Sequence, residues 1–394
     1  MSAPRRPSRL QRASGVDDVR ALAHRRLPRA VLDFLEGGAE EEVTIGRNRQ
    51  AFRDLAFVPR VLTDVSSRSQ ATTLLGTPVT SPVVLAPVGL AALAHPSGEI
   101  AAARAAAKKG LISTVSSSSA WSLEDVAASC EGPRWFQLYV WRDRELTRRI
   151  VERARAAGFH ALCLTVDVQV SARRLRDIRN GFTIPPRPRL SQAGDLVRHA
   201  GWFRRLAVSE LSGHKLMMGN FTSGDLGLRD RLSTFELANE LFDPGVGLRD
   251  LEWLRQVWGG PVAVKGVMTA ADARRSVDAG ADAVWVSNHG GRQLDGLRGS
   301  AEVLPEVVAE VGGQAEVYLD GGIRRGSDVV KALALGARAC MIGRPWMYGL
   351  AAGGQVGIEV VLDLLRVEID ATLALLGRPT LESLDAGAVS RTRE

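Results

Sequence analysis

Cysteine is scarce in this chain, and the three that occur, Cys130, Cys163 and Cys340, lie far apart with no CxxC spacing. That distribution excludes a disulfide scaffold and a zinc site as organising principles, and no metal is expected. Cys163 and Cys340 sit inside apolar runs that read as buried strands. Long hydrophobic runs are lacking too. No stretch is long enough to span a bilayer, and the basic segment Met1 to Arg12 is not followed by the apolar region of a secretory signal, so a cytoplasmic location is expected. Charge of one sign is not concentrated either. The formal charge is +7, but 44 acidic residues are dispersed among 51 basic ones, so no nucleic-acid surface is expected. What remains is a chain of 394 residues, 45% hydrophobic, able to bury an ordinary core as one large domain with additions.

Short apolar, β-branched runs alternate with Ala- and charge-rich helical stretches, the pattern of parallel βα units. The runs are Val83–Gly89, Leu111–Ser117, Trp135–Val140, Ala161–Asp167, Val262–Val267, Ala283–Gly291, Val317–Gly322 and Ala339–Arg344. Eight such runs close a TIM (β/α)8 barrel, and their polar or glycine endings would form its active-site face. Helices are expected at Arg142–Ala157, Thr269–Gly280 and Gly326–Gly336. Two parts fall outside the repeat. Residues 17–64 form an N-terminal cap, in which HRRLPRAVLDFLEGGAE predicts a helix and a glycine-rich turn over one barrel mouth. Residues 187–247, after the fourth run, are far too long for an ordinary βα connection. The domain is expected over 17–384, with 1–16 and 385–394 as tails.

In Ser287-Asn-His-Gly-Gly-Arg-Gln-Leu-Asp295 an imidazole and a guanidinium lie three residues apart just past an apolar strand. A base and an anion clamp on one rim suit an acid whose α-proton must be removed. A lone histidine is more often a satisfied core residue, but glycines that allow close ligand approach, at a barrel's catalytic face, favour the chemical reading. Asp320-Gly-Gly-Ile-Arg-Arg-Gly326 and Ile342-Gly-Arg344 stand at the ends of the seventh and eighth candidate strands, where many TIM barrels bind phosphate. Lys265 ends an apolar VAVKG run, where an unpaired ammonium is costly; it either faces an electron-rich ligand or snorkels to the rim. Asp167 and Arg174 lie in TVDVQVSARRLRD, at and just past the end of the fourth run. Either Asp167 pairs with His289 and Arg174 grips a carboxylate, or the two form a local ion pair.

From about Asp17 to Leu384 the chain resembles the FMN-dependent (S)-2-hydroxy-acid oxidising enzymes, a family that includes glycolate and lactate oxidases and respiratory lactate and mandelate dehydrogenases. SNHGGRQLD and DGGIRRGSDVVKALALGA carry the resemblance. It implies that His289 is the base, oriented by Asp167, that Arg174 and Arg292 hold the substrate carboxylate, and that Tyr139 contacts the substrate. Lys265 is implied to lie against the flavin ring. Pro87, Val88 and Gly89 would run past it, and Ser116, Gln137, Thr165 and Ser287 would bond the ring or ribityl chain. Asp320, Gly322, Arg324, Gly343 and Arg344 would hold the ribityl and phosphate.

Three positions depart from common members of the family. Phe34 replaces a carboxylate-binding tyrosine, Ser118 replaces the tryptophan that narrows the glycolate oxidase pocket, and Gly89 stands where oxidases usually carry alanine. The first leaves the carboxylate to Arg174 and Arg292, the second admits a larger side chain such as an aryl group, and the third favours a quinone or similar acceptor over oxygen. The 187–247 segment corresponds to the insertion of the membrane-associated members. Its Leu196, Val197, Trp202, Phe203 and Leu206, interleaved with Arg198, Arg204 and Arg205, suit a helix lying in lipid headgroups, with the aromatics inserted. A loop folded over the mouth, or a contact within a homotetramer, is the alternative. Competing functions are an oxidase making hydrogen peroxide, a maturation enzyme acting on a peptide-derived substrate, and a phosphate-binding barrel without redox chemistry.

Overall fold

The computed structural model describes residues 8–182, 193–211, 218–221 and 241–392. All eight apolar runs form strands; the fifth spans its whole run, and the other seven are shorter than theirs, mostly because pairing stops where the polar or glycine ending begins. They are β1 (Val83–Leu85), β2 (Ser113–Ser116), β3 (Arg134–Leu138), β4 (Ala161–Thr165), β5 (Val262–Val267), β6 (Ala283–Val286), β7 (Glu316–Asp320) and β8 (Ala339–Ile342). They close a parallel barrel in chain order, β8 returning to β1 through Cys340 opposite Val83. This is the TIM-barrel α/β architecture expected.

Alternation along the strands explains where the chemistry sits. Inward positions below the strand ends are apolar: Val84, Ile112, Trp135, Cys163, Ala263, Trp285, Tyr318 and Met341 fill the barrel. Their neighbours Phe136, Leu162, Val264, Val284 and Leu319 point outward into the helical layer. Two residues beyond the inward apolar side chains, the same face carries Gln137, Thr165, Lys265, Ser287, Asp320 and Gly343. A polar floor therefore lies on an apolar plug, at the C-terminal mouth. The opposite mouth is closed by the hairpin Thr72–Leu74/Thr77–Val79, whose Leu74 and Val79 join the barrel interior.

The cap comprises α1 (Val16–His24), α2 (Arg29–Glu36) and α3 (Val43–Arg53). The predicted helix within HRRLPRAVLDFLEGGAE begins only after Pro28, because proline lacks an N–H and restricts the residue before it. α1 buries Val16, Val19 and Ala23, spaced three and four apart, against the final helix Arg344–Leu376. One expected tail is not free: Val389–Arg391 pairs antiparallel with Leu55–Phe57, tying the C-terminal segment to the strand that follows α3.

Described parts of the insertion pack on the barrel's mouth. Helices span Ala193–Arg198 and Ala200–Leu211. Trp202, expected to face lipid, is buried, its indole N–H donating to Leu93 O at 2.8 Å, and Phe203 and Leu206 pack partly against the core. The exposed apolar residues are instead Val197 (81%), Val208 (57%) and Leu211 (89%). Asn220 donates to Ser117 O and accepts from Leu123 N, bracing the loop after β2. Residues 187–192, 212–217 and 222–240 of the insertion lie outside the described residues. No described helix is long and apolar enough to cross a membrane.

Candidate active site

His289 stands on the loop after β6 and Asp167 on the loop after β4, so the barrel brings together residues 122 positions apart. His289 Nδ1 lies 2.9 Å from Asp167 Oδ1, and Tyr139 Oη lies 3.5 Å from His289 Nε2. Burial alone would raise the Asp167 carboxyl, but His289 and Lys265 outweigh it and hold Asp167 below the usual carboxylate range. Asp167 is thus ionised and fixes the hydrogen of His289 on Nδ1, leaving the Nε2 lone pair on the side of the Tyr139 hydroxyl. Burial first, and then Lys265, push His289 below the ordinary histidine range, while Asp167 pulls the other way. The imidazole is a neutral acceptor at neutral pH. Burial pushes the Tyr139 hydroxyl up to about 12, so it remains a donor.

Arg292 is held by two backbone carbonyls, donating to Phe34 O at 2.8 Å and Gly37 O at 2.7 Å, with its guanidinium 5.3 Å from the Phe34 ring centre. Arg174 approaches the same ring at 5.6 Å. The Phe34 ring is fixed by stacking on Phe182 at 4.8 Å. Arg174 pairs locally, but with Asp177 at 2.8 Å rather than with Asp167. Among the described residues no carboxylate forms an ion pair with Arg292. Burial, then the neighbouring cations Arg174 and Arg344, lower its guanidinium to about 9, with Asp177 opposing them.

The floor is a connected polar network. Ser116 Oγ donates to Gln137 Oε1 at 2.8 Å, and Gln137 Nε2 to Thr165 Oγ1 at 3.0 Å. Lys265 is only 4% exposed, which removes the snorkelling alternative; its Nζ donates to Ser287 Oγ at 3.0 Å and lies 3.5 Å from Asp320 Oδ2. Asp320 and Asp167 keep its pKa above the ordinary lysine value despite the opposing effect of burial. Pro87, Val88 and Gly89 form the half-buried edge after β1. A β-carbon on Gly89 would lie 3.1 Å from Ser118 Cβ, so the two departing positions touch.

On the far side Gly343 caps the final helix with no side-chain bond, and a β-carbon there would meet nothing within 4 Å. An open helix N-terminus flanked by Arg344 and Arg324 has the donors and positive charge that suit an anion. Arg344 Nε is buried without a partner, and burial, then Arg324, lower that guanidinium to about 10. Gly322 has φ +86°, and a side chain there would strike Asn48 O. A polar floor, a buried cation and a helix N-terminus opened by Gly343 between two arginines fit a flavin mononucleotide.

Residues 23–391 match the FMN-dependent dehydrogenase family. The chain belongs to that family. It is 42% identical to a peroxisomal (S)-2-hydroxyacid oxidase of Arabidopsis thaliana, over 96% of this chain and 97% of that protein. It is also 42% identical to an L-lactate dehydrogenase of Xanthomonas campestris pv. campestris, over 97% and 98% respectively. The crystal structure of the monotopic membrane protein (S)-mandelate dehydrogenase superposes with a TM-score of 0.88 at 40% identity, covering 96% of this chain and 99% of that one. The chain is therefore an FMN-dependent 2-hydroxy-acid dehydrogenase or oxidase acting on a CH–OH group.

Several supporting side chains have no role in the sequence reading. Asp33, buried on α2, accepts from Arg29 and from Asn180 at 2.7 Å, joining the Phe34 helix to the Arg174 segment. Asp295, inside the SNHGGRQLD motif, accepts from Thr44 N at 2.8 Å and Val43 N at 3.2 Å, capping α3. Buried Glu99 accepts from Ala91 N and Ala120 N, joining the loops that carry Gly89 and Ser118. A carboxylate three residues past His289's arginine was the one signal legible in the motif itself.

Proposed function

We propose that this enzyme oxidises an (S)-2-hydroxy acid of the mandelate or lactate type to its 2-oxo acid, with His289 as base, and passes the electrons to a quinone or similar acceptor. The observation carrying this reading is the juxtaposition of the His289–Asp167 pair with two guanidiniums, Arg174 and Arg292, over one phenyl ring. The CH–OH group loses two electrons and two protons. FMN, when bound, accepts the electrons. His289 Nε2 takes the α-proton, Asp167 stabilises the imidazolium that results, and the hydroxyl proton is released to solvent as the 2-oxo group forms. Arg174 and Arg292 grip the substrate carboxylate, Tyr139 contacts the substrate at its hydroxyl or carboxylate, and Phe34 offers an apolar face in place of a hydroxyl. Lys265 supplies a fixed positive charge where negative charge arrives. Pro87, Val88, Gly89, Ser116, Gln137, Thr165 and Ser287 hold the ring and ribityl chain, and Asp320, Gly322, Arg324, Gly343 and Arg344 hold the ribityl and phosphate.

The small Ser118 leaves room for an aryl side chain, in keeping with the likeness to a mandelate dehydrogenase. Exposed Val197, Val208 and Leu211 beside exposed Arg198 and Arg204 support peripheral attachment to anionic lipid, which would bring the mouth near a lipid-soluble quinone. A homotetramer belongs to the same proposal. The test is a screen of 2-hydroxy acids for flavin bleaching without oxygen, followed by reoxidation with a soluble quinone or with air. Bleaching by (S)-mandelate or (S)-lactate and faster reoxidation by quinone are expected. Stoichiometric hydrogen peroxide in air would make the enzyme an oxidase, and no bleaching by any 2-hydroxy acid would sink the proposal.

A further inference from the structure

Histidine 289 sits in a backbone conformation that it would not adopt unaided. Its φ is +57°, and Gly290 and Gly291 follow at +62° and +76°, a left-handed run that glycine tolerates and a residue with a β-carbon does not favour. On one side the run is held by the floor, since His289 N donates to Ser287 Oγ at 3.0 Å and Ser287 Oγ donates to Asp320 at 2.7 Å. On the other side it is held from outside the barrel. Asn288 and Asn48, both buried, exchange two amide bonds of 2.8 Å each. The remaining capacity of Asn288 closes the loop, accepting from Gly291 N at 3.2 Å and donating to Arg298 O at 3.1 Å. Asn48 Oδ1 also accepts from Ser300 N at 3.0 Å, which locks the far end of the loop. Only an amide offers a donor and an acceptor side by side in this arrangement.

We infer that Asn48, on cap helix α3, is a positioning residue for the base: its amide pair with Asn288 holds the loop in which His289 meets Asp167. The inference rests on His289 being the base. It gives the cap a chemical task besides covering the mouth, because a helix some 240 positions earlier in the chain sets the aim of the imidazole.

The test compares Asn48→Ala, Asn288→Ala, the double variant and His289→Ala, each loaded with FMN. The readouts are the limiting rate of anaerobic flavin bleaching, the Kd of the 2-oxo acid product from the flavin spectrum, FMN content and Tm. Misaiming a reacting group by about an ångström costs about 100-fold, so each asparagine variant should lose ~10- to 100-fold in limiting rate. Product Kd should stay within about threefold, since Arg292 is anchored separately on Phe34 O and Gly37 O. The double variant should be no slower than the slower single one, because both break one interaction. FMN-loaded variants with lowered Tm but wild-type rates would overturn the inference, as would rate losses that multiply. If Asn48→Ala does not fold, Asn48→Asp keeps the shape but sets an acceptor against Asn288 Oδ1, and a wild-type rate there would also overturn it. A wild-type rate in His289→Ala would instead sink the base assignment.

Discussion

Replacing Asp167 by asparagine removes a charge while leaving an oxygen to accept the His289 Nδ1–H bond. The carboxylate oxygen is 2.9 Å from Nδ1, which places the centres of charge about 4 Å apart once the ring is protonated. At an effective dielectric constant of about 20 that attraction is ~4 kcal/mol. With the proton half transferred in the transition state, about half of it is lost, or ~2 kcal/mol and roughly 30-fold in rate; full transfer gives about 10³-fold. The pH profile supplies a second signature. Burial and Lys265 already hold His289 below the ordinary histidine range, and Asp167 opposes them. Without Asp167 the imidazole becomes a still weaker base, so the acid limb should move to lower pH even as the plateau falls. Anaerobic stopped-flow bleaching across pH, with protiated and α-deuterated substrate, measures both. A loss under about threefold, or an acid limb moving upward, would refute the assignment of Asp167 as the partner of the base.

Arg292→Lys should raise KM by ~10- to 100-fold and slow flavin reduction, because an ammonium cannot reproduce the two-pronged grip or reach both Phe34 O and Gly37 O; unchanged kinetics with lactate and mandelate would place the carboxylate elsewhere. Ser118→Trp should cost mandelate far more than lactate in kcat/KM, and equal losses would show that this position does not bound the side-chain pocket. Co-sedimentation with anionic vesicles at low salt should be lost on substituting Val208 and Leu211 together by Asp, and indifference of the intact protein to vesicles would remove the membrane role.

The barrel was legible because its strands combine two signals: apolar runs of strand length and abrupt polar endings. Those endings were also where the candidate residues lay, since period-two alternation puts Gln137, Thr165, Lys265 and Ser287 on the inward face just above the apolar plug. Contacts across long sequence separations were not legible. Nothing in VTIGRNRQAFR distinguishes Asn48 as buried, because its partner lies 240 positions away. Trp202 was misread for a related reason: an indole among arginines suits lipid headgroups, yet its N–H finds Leu93 O, 109 positions earlier. Arg174 bonding to Asp177, three residues on, is by contrast a local pairing that the sequence displays.

The most direct test of the account is the rate at which (S)-mandelate or (S)-lactate bleaches the flavin of His289→Ala without oxygen, beside the wild type. General-base catalysis contributes about 10²- to 10⁴-fold, and the residues proposed to hold the phosphate, Gly343, Arg324 and Arg344, are untouched by the substitution. The expected result is full FMN content with bleaching slowed by ~10²- to 10⁴-fold. A variant that keeps its FMN and bleaches at a near-normal rate would contradict the central claim that His289 takes the proton.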